Sequence, residues 1–89
     1  MKDRTKVIEL WRKGADADDS NALVNLAMCY DKGFEVDRNK KKACELYERA
    51  SDSGNVEAIL HLASCFNNGE GVKQDKKKAV ELLLCAVDL

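Results

Sequence analysis

The sequence contains no proline, few β-branched residues and five glycines among its 89 residues. Alanine, leucine, glutamate and lysine are frequent instead, a composition that favours an all-α chain. Net charge is close to zero, 15 basic against 16 acidic residues, so no global field invites nucleic acid. No apolar run approaches the roughly 20 residues needed to span a bilayer. The opening "MKDRTKVIEL" also lacks the apolar core of a secretory signal. Cys29, Cys44, Cys65 and Cys85 include no C-x-x-C pair, and the lone His61 has no neighbouring ligand set. The cysteines therefore read as small apolar core residues. A chain this short forms at most one domain, and it buries only about 60–65% of the surface its unfolded state exposes.

What is present is a repetition. Offset by 36 residues, the stretch 22–50 meets 58–86 with identical pairs that include Leu26/Leu62, Ala27/Ala63, Cys29/Cys65, Gly33/Gly69, Val36/Val72, Ala43/Ala79, Leu46/Leu82 and Ala50/Ala86. The triplets Lys40–Lys42 and Lys76–Lys78 also coincide. The register continues backwards, with Glu9, Leu10 and Trp11 falling on Glu45, Leu46 and Tyr47. A fixed period of this size marks stacked supersecondary units. One domain, 1–89, is expected: residues 5–19 form the second half of a preceding repeat, 20–55 a first full repeat and 56–89 a second.

Each repeat divides into two helices. Leu23, Leu26, Ala27 and Tyr30 recur at helical spacing, as do Ala43, Leu46, Tyr47 and Ala50. Gly33 ends the first helix as a left-handed C-cap, and Gly54 marks the turn to the next repeat. Asn39 and Asp75 are N-cap candidates. Five helices are predicted, over about 5–15, 20–32, 39–51, 56–68 and 75–87. Neither repeat can bury its apolar face alone, so neighbours must stack into an α-solenoid.

The pattern A-x-x-x-L-A-x-x-(Y/F)-x-x-G-x-G-V-x-x-(D/N)-x-x-K-A-x-x-L-(Y/L)-x-x-A resembles the Sel-one-like repeat, a relative of the tetratricopeptide repeat. Ala58–Ala86 fits it closely. Ala22–Ala50 departs at Glu35, which stands where the other copy has Gly71, so the first corner is expected to turn differently. The resemblance implies an α-solenoid of antiparallel helix pairs that acts as a scaffold or adaptor, with no catalytic machinery shared across the family. Some bacterial relatives carry a disulfide in every repeat. Here Cys44 matches Val80 and Cys85 matches Arg49, which breaks that pattern and favours reduced thiols, hence a cytoplasmic setting.

The glycine loops are corners, not phosphate cradles. "GEGVKQDKKKA" lacks the GxxxxGK(S/T) spacing and follows a helix. An EF-hand loop starting at Asp16 would need glycine and glutamate where Asn21 and Ala27 stand, so the acidic stretch "GADADDSN" reads as a turn and cap. Lys40, Lys41, Lys42, Lys76, Lys77 and Lys78 open the second helix of each repeat and could form a basic edge for an acidic partner. Glu45 and Glu81 are placed to pair with Lys41 and Lys77.

The first helix of each repeat carries the better candidate. Opposite its apolar stripe lie Asn21, Val24, Asn25, Met28 and Lys32, and in the second copy Glu57, Leu60, His61, Ser64 and Asn68. In tetratricopeptide relatives the matching face lines a concave groove. Asn25 offers both donor and acceptor to a peptide backbone. With no nucleophile–base pair, metal cluster or cofactor loop in view, no catalysis and no cofactor are expected. The functional expectation is a scaffold that binds a protein or peptide on this face. The alternative is a regulatory or spacer portion of a larger protein or enzyme. The chain begins in mid-repeat and ends on "LLLCAVDL" without a polar cap, which predicts a fragment of a longer array whose exposed ends self-associate.

Overall fold

The computed structural model describes residues 4–88, all of it helix and connecting turn. Five helices follow in order: α1 (Arg4–Asp16), α2 (Ser20–Lys32), α3 (Lys40–Asp52), α4 (Val56–Asn68) and α5 (Lys76–Asp88). Their ends follow from side-chain chemistry. Asp19 starts α2 by accepting from the backbone N–H groups of Asn21 (3.0 Å) and Ala22 (3.3 Å). Asn39 and Asp75 cap α3 and α5 in the same way, each accepting from the third residue on at 3.0 Å. Asn55 caps α4 through Ala58 (3.0 Å). Such caps satisfy donors that the first helical turn leaves unpaired. Gly33 (φ 73°) and Gly69 (φ 69°) close α2 and α4 in the left-handed region, where a Cβ is unfavourable.

Each helix packs on its neighbours in chain order, α1 on α2 through to α4 on α5, and the molecule measures 44 × 24 × 19 Å. The core is continuous along this axis. Leu23, Leu26, Ala27, Ala43, Leu46, Tyr47, Ala50, Ala58 and Leu62 form one buried cluster, joined by Ile8 and Ala15 of α1. The alanines let backbones approach, while Leu23 and Tyr47, both essentially sealed, fill the space between. Burying a side chain of that size contributes about 1.5–3 kcal/mol.

Polar ties join successive units. Arg49 of α3 donates through Nη2 to the Ala15 carbonyl (3.0 Å) and to the Asp18 carboxylate (2.7 Å), which pins the α1–α2 turn. The Asn55 amide donates to Ser20 Oγ (3.3 Å) and Asn21 Oδ1 (3.4 Å), so the start of α4 holds the start of α2.

The two long corners are alike, contrary to the expectation at Glu35. Glu35 sits at φ 59° and Gly71 at φ 74°, both left-handed. The surrounding bonds repeat as well. Asn39 N–H donates to the Tyr30 carbonyl and Asp75 N–H to the Phe66 carbonyl, both at 2.8 Å. Flanking caps and core contacts impose the corner even on a residue that carries a Cβ.

Three of the four cysteines are buried as core residues, but Cys85 is exposed, at the register position where α3 carries the likewise exposed Arg49.

Candidate partner-binding site

The sequence-selected face divides into three environments. Asn21 and Lys32 are exposed, while Asn25 and Met28 are half-buried. Val24 does not belong to an open face: it is 3% exposed and lies in the core with Ala58 and Leu62. Its copy Leu60, with no following repeat beside it, is 48% exposed. Packing of the next unit decides the difference, and no periodicity within one repeat shows it.

In the second copy, Glu57, Ser64 and Asn68 are exposed. Asn68 Nδ2 donates weakly to Ser64 Oγ at 3.5 Å. His61 is not a simple surface histidine. Its ring stacks on Tyr47, and its Nε2 lies 3.8 Å from Glu57 Oε1.

Beside α2 the half-buried residues meet partners that sequence reasoning missed. Trp11 from α1 and Phe34 from the corner join Asn25, Met28 and Lys32 around a hollow of about 400 Å³. Trp11 and Met28 also pack against the core, which gives the hollow a firm floor. Cys29 forms part of its wall, and burial pushes that thiol above its ordinary range, with the Glu35 carboxylate adding to the shift. The result is an apolar recess with an amide and an ammonium at its edge, the composition that gives a ligand site both affinity and orientation. A larger hollow of about 750 Å³ runs along the first corner, lined by Arg12, Arg38, Asp37 and Glu35 among others. Its lining is mostly polar and charged, with Tyr30 and Val36 as its apolar part, and water competes well for such a surface.

The signal for the missed residues lay in the differences between copies. Phe34 stands where the second corner has Glu70, an apolar residue in place of a charged one. Trp11 occupies the register of Tyr47. Tyr47 is sealed beneath α4, whereas Trp11 remains partly open.

The lysine triplets differ in use. Lys40 donates to the Asp31 carboxylate and lies 3.6 Å from Glu70 Oε2, so it ties its own repeat to the next corner. The hydrogen bond to Asp31 raises the Lys40 ammonium above its ordinary value. At the equivalent of Asp31 the second copy has uncharged Asn67, and Lys76 stays exposed. Lys41, Lys42, Lys77 and Lys78 are exposed, and Lys78 reaches over the Phe66 ring at 5.5 Å. Among the described residues, neither Lys41 with Glu45 nor Lys77 with Glu81 forms an ion pair. The described residues hold no cluster of three or more metal-ligating side chains, and no helix long and apolar enough to cross a membrane.

Stacked helix pairs, a continuous one-dimensional core and grooved sides define a helical-repeat scaffold of the solenoid class. The Sel1 repeat model matches residues 20–55 and 56–89, and the chain belongs to the Sel1 repeat family. Its fold is shared with cysteine rich protein B of Helicobacter pylori (TM-score 0.93, 23% identity, 98% of this chain and 65% of that one). It is likewise shared with c5321, a protective antigen of uropathogenic Escherichia coli with an SLR fold (0.95, 27%, 99% and 19%). A Sel1 repeat protein from Oxalobacter formigenes is a further match (0.89, 24%, 99% and 35%). This chain therefore spans less than two thirds of each. No curated protein matches it. Sel1 repeat proteins are generally protein-interaction scaffolds, a non-catalytic class.

Proposed function

We propose that this chain is a protein-interaction module that takes a partner segment on the α2 surface, seated in the hollow between α1, α2 and the first corner. The observation that carries this reading is the recess itself: Trp11, Met28 and Phe34 around an apolar space, with Asn25 and Lys32 at its edge. An apolar side chain of the partner fills the recess, Asn25 pairs with its backbone, and Lys32 receives an acidic neighbour. Asn25 and Met28 are half-buried and so already partly ordered, which lowers the entropy lost on binding. His61, at the position equivalent to Asn25, is committed to Tyr47 and is assigned the smaller share.

Trp11 is the sole tryptophan, so its fluorescence reports directly on the recess. Peptides selected from a displayed library against the folded chain should shift Trp11 emission, and Met28→Lys or Asn25→Ala should weaken them by about tenfold or more. Selected peptides that bind both variants as well as the parent chain would sink the assignment.

A further inference from the structure

Among the described residues, five of the eight exposed large apolar side chains lie on α5 and the part of α4 beside it. On α5, Val80, Leu83, Leu84 and Val87 recur at i, i+3, i+4 and i+7, and Leu84 and Val87 are 60% and 81% exposed. Leu60 of α4 adjoins them, and Leu60, Val80 and Leu83 line a groove of about 340 Å³ between the two helices. A stripe with this spacing is what a helix normally turns toward a core.

The same molecule shows this face covered. Thirty-six residues earlier, the equivalents of Leu60, Val80 and Leu83 are Val24, Cys44 and Tyr47, and all three are buried where α4 packs on α3. The α5 surface therefore repeats the part of α3 that a helix covers, and no helix covers it among the described residues. Its apolar residues extend further than in the covered copy, because Leu84 and Val87 replace Glu48 and Ser51.

Charge selects the occupant. Lys76 and Lys77 lie four and three residues before Val80 and prolong the stripe at its amino end, while Asp88 flanks its carboxyl end. A second α5 laid antiparallel brings each lysine pair toward the other's Asp88 and toward the negative end of its helix dipole. A parallel pairing would set lysine against lysine. Lys77 and Asp88 fall on the same side of the stripe, and a twofold axis brings those two sides together. We propose that two copies of this chain associate through α5, antiparallel about a twofold axis, with Leu83 and Leu84 at its centre. This surface is separate from the recess at Trp11.

Sedimentation equilibrium from micromolar to near-millimolar chain, with reductant present because Cys85 is exposed, tests this. The mass should rise from one 9.9 kDa chain to two and stop there. Leu84→Glu and Val87→Lys should each keep a helical circular dichroism spectrum and remain monomeric. Lys77→Asp should weaken association roughly tenfold, and the double reversal Lys77→Asp with Asp88→Lys should recover most of it. The proposal fails if the parent chain stays at the single-chain mass throughout. It also fails if mass keeps growing beyond two chains, if folded Leu84→Glu and Val87→Lys both dimerise as tightly as the parent, or if the double reversal associates no better than Lys77→Asp.

Discussion

The Tyr47 ring of α3 lies flat on the His61 imidazole of α4, centroids 4.8 Å apart and planes 14° from parallel. The contact joins one repeat to the next, with Tyr47 sealed in the core and His61 half-buried over it. Tyr47 is 1% exposed, and its hydroxyl is buried with no hydrogen-bond partner among the described residues. Burial, first, and the nearby Asp31 carboxylate raise its phenol well above the ordinary value.

An unpartnered hydroxyl contributes desolvation cost and no bond, whereas the ring contributes area. Tyr47→Phe should leave stability unchanged or raise it by up to about 1 kcal/mol. Tyr47→Ala should lower it by about 3–5 kcal/mol. Urea denaturation of both variants checks the contrast, and a clear loss on Tyr47→Phe would show that the hydroxyl is satisfied in solution.

Three buried thiols predict a pH profile. Burial pushes Cys29, Cys44 and Cys65 above their ordinary value of 9.0, Cys44 to about 12, and the contact between Cys44 and Cys65 adds to the shift at Cys44. The Cys44 thiol donates to the Glu70 carbonyl at 3.1 Å. Because the folded values are raised, the thiols' contribution is complete below about pH 9. It is lost as pH climbs through the folded values, since the unfolded chain then holds fewer protons. Unfolding free energy in reductant should be flat from about pH 7 to 8. It should then fall toward pH 12 by at most about 1.4 kcal/mol per pH unit for each thiol. Denaturation series at pH 8, 10 and 11 measure it.

The two corners predict opposite tolerance at matched positions. A Cβ built on Gly71 would stand 2.4 Å from the Lys40 carbonyl oxygen, at φ 74°. Gly71→Ala should therefore cost about 2 kcal/mol or more, from left-handed strain added to a backbone clash. Glu35 already bears a side chain at φ 59°, so Glu35→Gly should move stability by less than about 1 kcal/mol. Thermal melts of the pair decide it.

The triplets predict unequal lysines. Lys40→Ala should lose up to about 1 kcal/mol, an amount limited by solvent screening at this partly exposed pair and reduced further in 1 M salt. Lys76→Ala, lacking the acidic partner, should cost almost nothing. Equal losses at the two positions would place the effect in the helix start instead of the ion pair.

The period of 36 made the architecture legible, because each helix had its register confirmed by a second copy. Helices α2 and α4 fall at their expected bounds, and α3 and α5 begin one residue late because Asn39 and Asp75 are caps outside the helix. Surface assignments were harder. Val24 and Leu60 hold one register position, yet only Val24 has a following repeat packed near it. Trp11 and Phe34 lie far apart in the chain and meet only through the packing of α1 on α2. Likewise, Lys40 finds Glu70 across a repeat boundary.

Helix α3 seals five side chains in the core and α5 only one, Ala79. The molecule is therefore graded along its length, with helices covered on both sides in the middle and α5 covered only by α4. Opening of α5 breaks its packing on α4 alone, whereas opening of α3 breaks its packing on both α2 and α4, so the amides of α5 should exchange with solvent before those of α3. Anything that docks on α5 will register first as rigidity, as slowed exchange in a helix whose shape scarcely alters.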